Sequence, residues 1–167
     1  MGWIRNRILM KDKNIGFIGI GNLGKNLANS ILIGGYNLFI YDLDKIKANN
    51  LINDGAHWCE DIETLVKQTT IIITCLPNPK AVSKVMESSN GIVKNINHNH
   101  LIIECSTPDE EELIRLSKLV MSKSASYIDA PLSGGEWRSK NGNISVLASG
   151  DSKSFKRALP ILKEIGY

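Results

Sequence analysis

A glycine-rich hexapeptide near the start of the chain has the residue types and spacing of a phosphate-binding loop. Gly19-Ile20-Gly21-Asn22-Leu23-Gly24 lies between a short apolar run and a stretch of helical periodicity, and Asp42 closes the next apolar run 18 residues later. In such a loop the first glycine permits a tight turn, the second lets the backbone approach a pyrophosphate, and the third allows close helix packing. The helix N-terminus then offers free N–H groups to the phosphates. The pattern predicts a dinucleotide site.

Asp42 is the residue expected to determine whether NAD or NADP binds. Its carboxylate would accept hydrogen bonds from the adenosine ribose hydroxyls, and a 2′-phosphate there would meet a like charge. Lys45 and Lys47 follow closely and weaken that repulsion. We therefore expect NAD as the preferred cofactor and NADP as the alternative.

The elements that must position these residues alternate between strand-sized apolar runs and segments of helical periodicity. Strands are expected at residues 14–19, 37–41, 56–59, 70–75, 100–104, 126–130 and 143–148. Helices are expected at residues 25–32, 44–53, 61–67, 81–87, 109–123 and 153–164, the last broken at Pro160. A Gly-rich loop without a helix should join the last two strands. Repeated β-α units predict an α/β fold of the Rossmann type, a doubly wound, mostly parallel sheet with helices on both faces.

Composition and charge narrow the function classes. The chain has 167 residues, of which 43% are apolar and 22% charged, as in soluble globular domains. Its net charge of +3 is too mild and too scattered to predict a nucleic-acid partner. No apolar run approaches the roughly 18–20 residues that span a bilayer, so we expect no membrane partner.

The cysteines and the N-terminus indicate the compartment and the domain limits. Cys59, Cys75 and Cys105 have no C-x-x-C spacing, which predicts neither a disulfide framework nor a metal site and favours a reducing, cytoplasmic location.

Residues 1–12 are interpreted as an extension, and residues 13–167 as one domain. The extension is shorter than a usual transit peptide and lacks the apolar stretch of a secretory signal.

Four segments beyond the glycine loop form an ordered series of motifs. They are Cys75-Leu76-Pro77-Asn78, Glu104-Cys105-Ser106-Thr107, Asp129-Ala130-Pro131-Leu132-Ser133-Gly134-Gly135 and Gly142-Asn143-Ile144-Ser145. Together with the glycine loop, this series resembles the β-hydroxyacid dehydrogenase family, which includes 3-hydroxyisobutyrate dehydrogenase and the cofactor domain of 6-phosphogluconate dehydrogenase. The similarity extends from about residue 13 to residue 166.

The resemblance implies roles for residues within these motifs. The backbone around Leu76-Pro77 would lie along the ribose side of the cofactor, and Thr107 would contact the cofactor near its nicotinamide end. Ser133-Gly134-Gly135 would hold the carboxylate or hydroxyl of a small 3-hydroxy acid or semialdehyde. Successive backbone donors in a glycine-rich turn suit an anion in this way. The implied reaction is hydride transfer between NAD(P) and that substrate.

The resemblance also implies a catalytic group that this sequence does not contain. Hydride transfer to or from a hydroxy acid needs a group that exchanges a proton with the substrate oxygen. In the family this is a lysine in a Gly-x-Gly-x-x-x-Lys-x-x-x-Asn segment, which would begin a few residues after Tyr167. Lys140 and Lys163 do not match its position and are interpreted as surface charges, and His98 and His100 as loop residues that face water. We therefore expect no catalytic residue in this chain and no C-terminal helical domain.

Three functions follow as alternatives. The chain is either the truncated cofactor domain of a dehydrogenase, inactive alone, or half of a split enzyme completed by a second chain, or a non-catalytic nucleotide-sensing or scaffolding module. An apolar surface left bare by the missing helical domain would favour self-association or a partner chain.

Overall fold

A computed structural model describes residues 12–106 and 109–167 of the chain. Its strands are β1 (Asn14–Ile18), β2 (Asn37–Tyr41), β3 (His57–Trp58), β4 (Ile71–Thr74), β5 (Leu101–Glu104), β6 (Ser126–Asp129), β7 (Leu132–Ser133) and β8 (Ser145–Val146). The first six form one parallel sheet in the order β3-β2-β1-β4-β5-β6, and β7 pairs with β8 in a small antiparallel sheet. The strand order reverses between β1 and β4, where the carboxyl ends of parallel strands leave a crevice.

Helices cover both faces of the large sheet. They are α1 (Gly24–Ile33), α2 (Asn49–Asn53), α3 (Ile62–Gln68), α4 (Pro79–Glu87), α5 (Ile92–Asn95), α6 (Glu110–Met121), α7 (Gly135–Lys140) and α8 (Ser152–Ile165), with a 3-10 turn at Lys45–Ala48 before α2. Because strand residues alternate between faces, Ile71 and Ile73 belong to an apolar cluster with α1 and α8, whereas Ile72 belongs to one with α3, α4 and α6. This architecture confirms the predicted doubly wound fold.

A partly buried ion pair closes the amino end of the sheet. The Arg157 guanidinium on α8 lies 2.6 Å from an Asp12 carboxylate oxygen, and its Nε lies 3.2 Å from both carboxylate oxygens. The Thr70 hydroxyl donates to the same carboxylate at 3.0 Å. These bonds connect the last helix to the segments that precede β1 and β4.

Three local predictions were wrong. Helix α8 continues through Pro160, since its apolar face, including Ile161 and Ile165, packs in the core and outweighs one lost backbone hydrogen bond. The loop after β7 contains helix α7, in which Lys140 pairs with Glu136 one turn away. The strand expected at residues 143–148 is reduced to β8, which pairs with β7 and not with the large sheet. None of the helices in the two described ranges is long and apolar enough to cross a membrane.

Candidate functional site

A cleft of about 680 Å³ opens at the carboxyl ends of β1, β2 and β4. Eight of the residues predicted to bind a cofactor line it, namely Gly19, Gly21, Asn22, Leu23, Gly24, Asp42, Leu76 and Pro77. Ile20 is buried next to the cleft and does not line it. Residues that are far apart in the sequence are thus brought together at the point where the strand order reverses, which is where open α/β sheets bind ligands.

The three glycines of the loop meet three different surroundings. Gly19 has φ +99°, and a Cβ there would lie 2.3 Å from the Cys75 carbonyl oxygen at the end of β4. A Cβ at Gly24 would lie 1.9 Å from the Gly19 oxygen, so α1 can start this close to the turn only with glycine. A Cβ at Gly21 would meet no atom within 4 Å. Gly21 therefore leaves the space free that a bound group could use, whereas Gly19 and Gly24 are required by the fold.

The N-terminus of α1 faces the cleft and has no acidic residue of its own. Its cap residue Leu23 forms no side-chain capping bond, and the first turn contains no acidic residue. The helix dipole attracts anions at such a terminus, and the Lys25 and Asn26 N–H groups already donate to the Gly21 and Leu23 carbonyls at 3.0 Å. Together with the open space at Gly21, this arrangement fits a pyrophosphate.

Asp42 stands directly after β2 with its carboxylate fixed by backbone donors. The Ile20 N–H donates to Oδ2 at 2.7 Å, and the Asp44 N–H donates to Oδ1 at 2.9 Å. The Lys47 ammonium lies 3.8 Å from Oδ1. A carboxylate has about four acceptor positions, so Asp42 retains capacity for ribose hydroxyls at the cleft. The first of these bonds also ties the acid to the glycine loop.

The opposite wall of the cleft comes from the turn after β4 and from α4. Leu76, Pro77 and Asn78 form the turn, and the Asn78 side chain caps α4 by accepting from the Ala81 N–H at 2.9 Å. Further lining residues that the sequence analysis did not single out are Lys84 and Val85 on α4, Ser88 directly after it, Ser106 after β5, and Leu132 on β7. The helical periodicity of the segment that contains Lys84 and Val85 predicts a helix there, but it does not predict which face of that helix meets the cleft.

A buried carboxyl lies beneath the two turns that follow β4 and β5. Glu104 accepts a hydrogen bond from the Thr74 hydroxyl at 2.7 Å and from the Ser106 N–H at 2.8 Å. Burial raises the pKa of Glu104, while hydrogen bonds from Ser106 and Thr74 oppose the increase and the charge of Asp129 adds to it. Sequence reasoning treated Glu104 only as part of a motif.

Two thiols also line the cleft. Burial, and then the nearby charge of Glu104, raise the pKa of Cys75 to about 12, and burial raises the pKa of Cys105 well above its usual value. Because the thiolate is the reactive form, both side chains act here as small apolar groups.

The segment predicted to bind substrate lies beside the cleft. Ser133 ends β7, and Gly134 and Gly135, with φ of +129° and +68°, lead into α7. All three are exposed, and none lines the cleft, although the preceding Leu132 does. Their predicted role stays a prediction.

A side-chain amide connects α7 to the glycine loop. The Asn26 Nδ2 on α1 donates to the Asn22 carbonyl at 3.1 Å and to the Ser139 hydroxyl at 2.9 Å. The Ser139 hydroxyl donates in turn to the Glu136 carbonyl at 2.7 Å. The segment around residues 133–135 is therefore held in a defined position relative to the glycine loop.

The remaining candidates that the structure describes do not line the cleft. Thr107 lies outside the described residues. Lys140 pairs with Glu136, and Lys163 is exposed, and neither lines the cleft. The expectation for His100 was wrong: it is 6% exposed, because its ring nitrogens lie 3.0 Å from the Asn97 nitrogen and 3.2 Å from the Val66 oxygen. His98 is exposed, as expected.

The parallel sheet, the glycine turn and the acid after β2 define a dinucleotide-binding α/β domain. The chain belongs to the family described as the NAD binding domain of 6-phosphogluconate dehydrogenase, whose model matches residues 14–167. It is thus an NAD(P)-binding domain of the type found in 3-hydroxyacid dehydrogenase-like oxidoreductases.

Individual relatives agree with this assignment. An uncharacterized oxidoreductase of Bacillus subtilis is 32% identical over 92% of this chain and 54% of its own length. The 3-hydroxyisobutyrate dehydrogenase of Pseudomonas aeruginosa is 27% identical over 92% of this chain and 51% of its own length. A solved structure described as Psf3 in complex with NADP+ and 2-OPP has 25% identity and a TM-score of 0.87, covering 91% of this chain and 54% of that one. The chain therefore spans about half the length of the relatives that it matches.

Proposed function

We propose that this chain binds NAD in preference to NADP, as the cofactor domain of an oxidoreductase that acts on a small 3-hydroxy acid or semialdehyde. The observation that carries the proposal is the position of Asp42, whose carboxylate lines the cleft and is fixed by the Ile20 N–H at 2.7 Å. A preorganised carboxylate favours two ribose hydroxyls and disfavours a 2′-phosphate. The solved structure described as a complex with NADP+ supports the nucleotide class, not the preference.

The residues present fit the rest of the dinucleotide. The open space at Gly21 and the N-terminus of α1 suit the pyrophosphate, and Leu76 and Pro77 supply the facing wall. When bound, the nicotinamide supplies hydride transfer. The chain's own contribution is to bind the adenosine half and to orient the ring towards the part of the cleft lined by Ser106 and Leu132.

The described part of the cleft supports binding more than proton transfer. The lysines that line it are Lys47, which pairs with Asp42, and Lys84 on α4. Lys47 lies in the 3-10 turn after β2 and Lys84 on α4, whereas the predicted substrate segment begins on β7. We therefore propose that the 167-residue chain binds cofactor without turning over substrate, and that Ser133-Gly134-Gly135 contributes to substrate binding in the presence of a further segment or chain.

Titration with NADH and NADPH, followed by nicotinamide fluorescence, tests the cofactor proposal. Wild type should bind NADH more tightly, and Asp42→Asn should shift the ratio of the two dissociation constants towards NADPH by about tenfold, because the repulsion of the 2′-phosphate is lost. Asp44→Asn is the matched control, since it removes the same charge from a residue that caps the 3-10 turn and does not line the cleft.

Two results would contradict the proposal. If wild type and Asp42→Asn have the same ratio of NADH to NADPH dissociation constants, Asp42 does not select the cofactor. If Asp44→Asn changes this ratio as much as Asp42→Asn does, the effect is one of net charge and not of position. In the same samples, a turnover assay with NAD and 3-hydroxy acids, and with NADH and semialdehydes, should show no activity. Measurable turnover by this chain alone would overturn the binding-only proposal.

A further inference from the structure

Glu104 is a fully buried acid that does not itself line the cleft. Its two carboxyl oxygens have separate partners: Thr74 Oγ1 donates to Oε2 at 2.7 Å, and the Ser106 N–H donates to Oε1 at 2.8 Å. Thr74 and Glu104 are paired in register at the ends of β4 and β5. The carboxyl group thus bonds to the last residue of one strand and to the turn after the other.

A hydrogen bond also joins the turn after β5 to the turn after β4. The Leu76 N–H donates to the Ser106 hydroxyl at 2.8 Å. Leu76 and Ser106 both line the cleft, as do their neighbours Cys75 and Cys105. A continuous path of hydrogen bonds therefore runs from Thr74 through Glu104 and Ser106 to Leu76, and it fixes the distance between two turns of the cleft wall.

We propose that Glu104 is a positioning residue for the dinucleotide, which holds the turns at Leu76 and Ser106 in the arrangement that binds the cofactor. A buried carboxyl is costly to retain where an apolar side chain could pack. Its partners here are neutral donors, and no ion pair to Glu104 is formed in the described residues. Its placement is therefore better explained by the two turns that it holds than by charge neutralisation.

Two substitutions at residue 104 separate the effect of its hydrogen bonds on NADH binding from the effects of its side-chain volume and charge. Glu104→Leu fills the space and removes both acceptors, and it should weaken NADH binding by about tenfold or more. Glu104→Gln keeps the shape. Its carbonyl can accept the Ser106 N–H while its NH2 donates to the Thr74 hydroxyl, so it should bind NADH nearly as wild type.

Two further variants separate positioning from stability. Ser106→Ala removes the hydroxyl that accepts from the Leu76 N–H and bonds to Glu104, and should weaken NADH binding, while Ser106→Thr restores the hydroxyl and should restore binding. Arg157→Met breaks the partly buried ion pair at the opposite end of the sheet and should lower the stability without changing the dissociation constant. Urea unfolding of each variant, beside its NADH titration, gives the required comparison, and the serine pair tests the proposal if Glu104→Leu does not fold.

The inference rests on the proposed cofactor site, and the outcomes distinguish the two. Absence of NADH binding by wild type would overturn both. Binding by wild type together with unchanged binding by Glu104→Leu or Ser106→Ala would overturn the role of Glu104 alone. Equal weakening in Arg157→Met would also overturn it, because binding would then follow global stability.

Discussion

The two ends of the large sheet each bury a carboxylic acid, but in opposite ways. At the amino end, Asp12 is paired with the Arg157 guanidinium at 2.6 Å, so the charge is neutralised and helix α8 is joined to the sheet. At the carboxyl end, Glu104 accepts only from neutral groups, the Thr74 hydroxyl and the Ser106 N–H. The first arrangement closes the sheet, whereas the second supports two turns of an open cleft. Stability and cofactor placement should therefore be separable by substitution.

The largest expected effect is at the closed end. Arg157→Met leaves the Asp12 carboxylate buried without its cation; removing one partner of a buried pair costs about 3 kcal/mol, which is the upper bound here because the Arg157 side chain is 20% exposed. The free energy of unfolding, measured in urea, should fall by up to this amount. NADH affinity should not change. A loss below about 0.5 kcal/mol would show that the pair contributes as little as a solvated one.

A smaller effect, divided between stability and binding, is expected in the glycine loop. Gly24→Ala places a Cβ 1.9 Å from the Gly19 oxygen and should cost about 2 kcal/mol of stability as well as affinity. Gly21→Ala meets no atom within 4 Å and should unfold as wild type while weakening NADH binding. Denaturant unfolding and NADH titration of the two variants test this. Equal stability losses, or full affinity in Gly21→Ala, would contradict the assigned roles.

The smallest effect, taken over one pH unit, is a pH dependence of stability at the open end. Burial raises the pKa of Glu104 in the folded chain above its ordinary value of 4.5, so its contribution to stability is complete below that value and is lost as the pH rises through the folded pKa. Wild type should therefore lose stability relative to Glu104→Gln above about pH 4.5, by at most about 1.4 kcal/mol per pH unit. Urea unfolding across this range measures the difference, and parallel profiles for the two proteins would contradict it.

The sequence predicts the fold class and the glycine loop well because their signals are local. Alternating apolar runs predicted the six strands that form the large sheet, and the spacing of Gly19, Gly21 and Gly24 predicted the turn. Asp42 could be placed because a parallel sheet brings the ends of neighbouring strands together. The structure adds what was not predicted, a hydrogen bond from Ile20 to that acid.

The predictions that failed depend on contacts between distant segments. Whether Pro160 ends a helix is decided by the core on which α8 packs. Helix α7 had one local signal, the spacing of Glu136 and Lys140, but its register also depends on Ser139 meeting a residue of α1. Glu104 required the register of β4 against β5 before its bonds to two turns could be seen.

The bond between Asn26 and Ser139 implies a constraint on how this sequence can diverge. The two residues are 113 positions apart, yet the amide of one meets the hydroxyl of the other at 2.9 Å. A substitution that removes the Ser139 hydroxyl leaves a half-buried hydrogen of the Asn26 amide without its acceptor. Because an unpaired donor there costs stability, the amide of Asn26 is then selected against as well. We expect the two positions to be exchanged together during evolution, so that descendants with an apolar residue at one of them have lost the polar residue at the other.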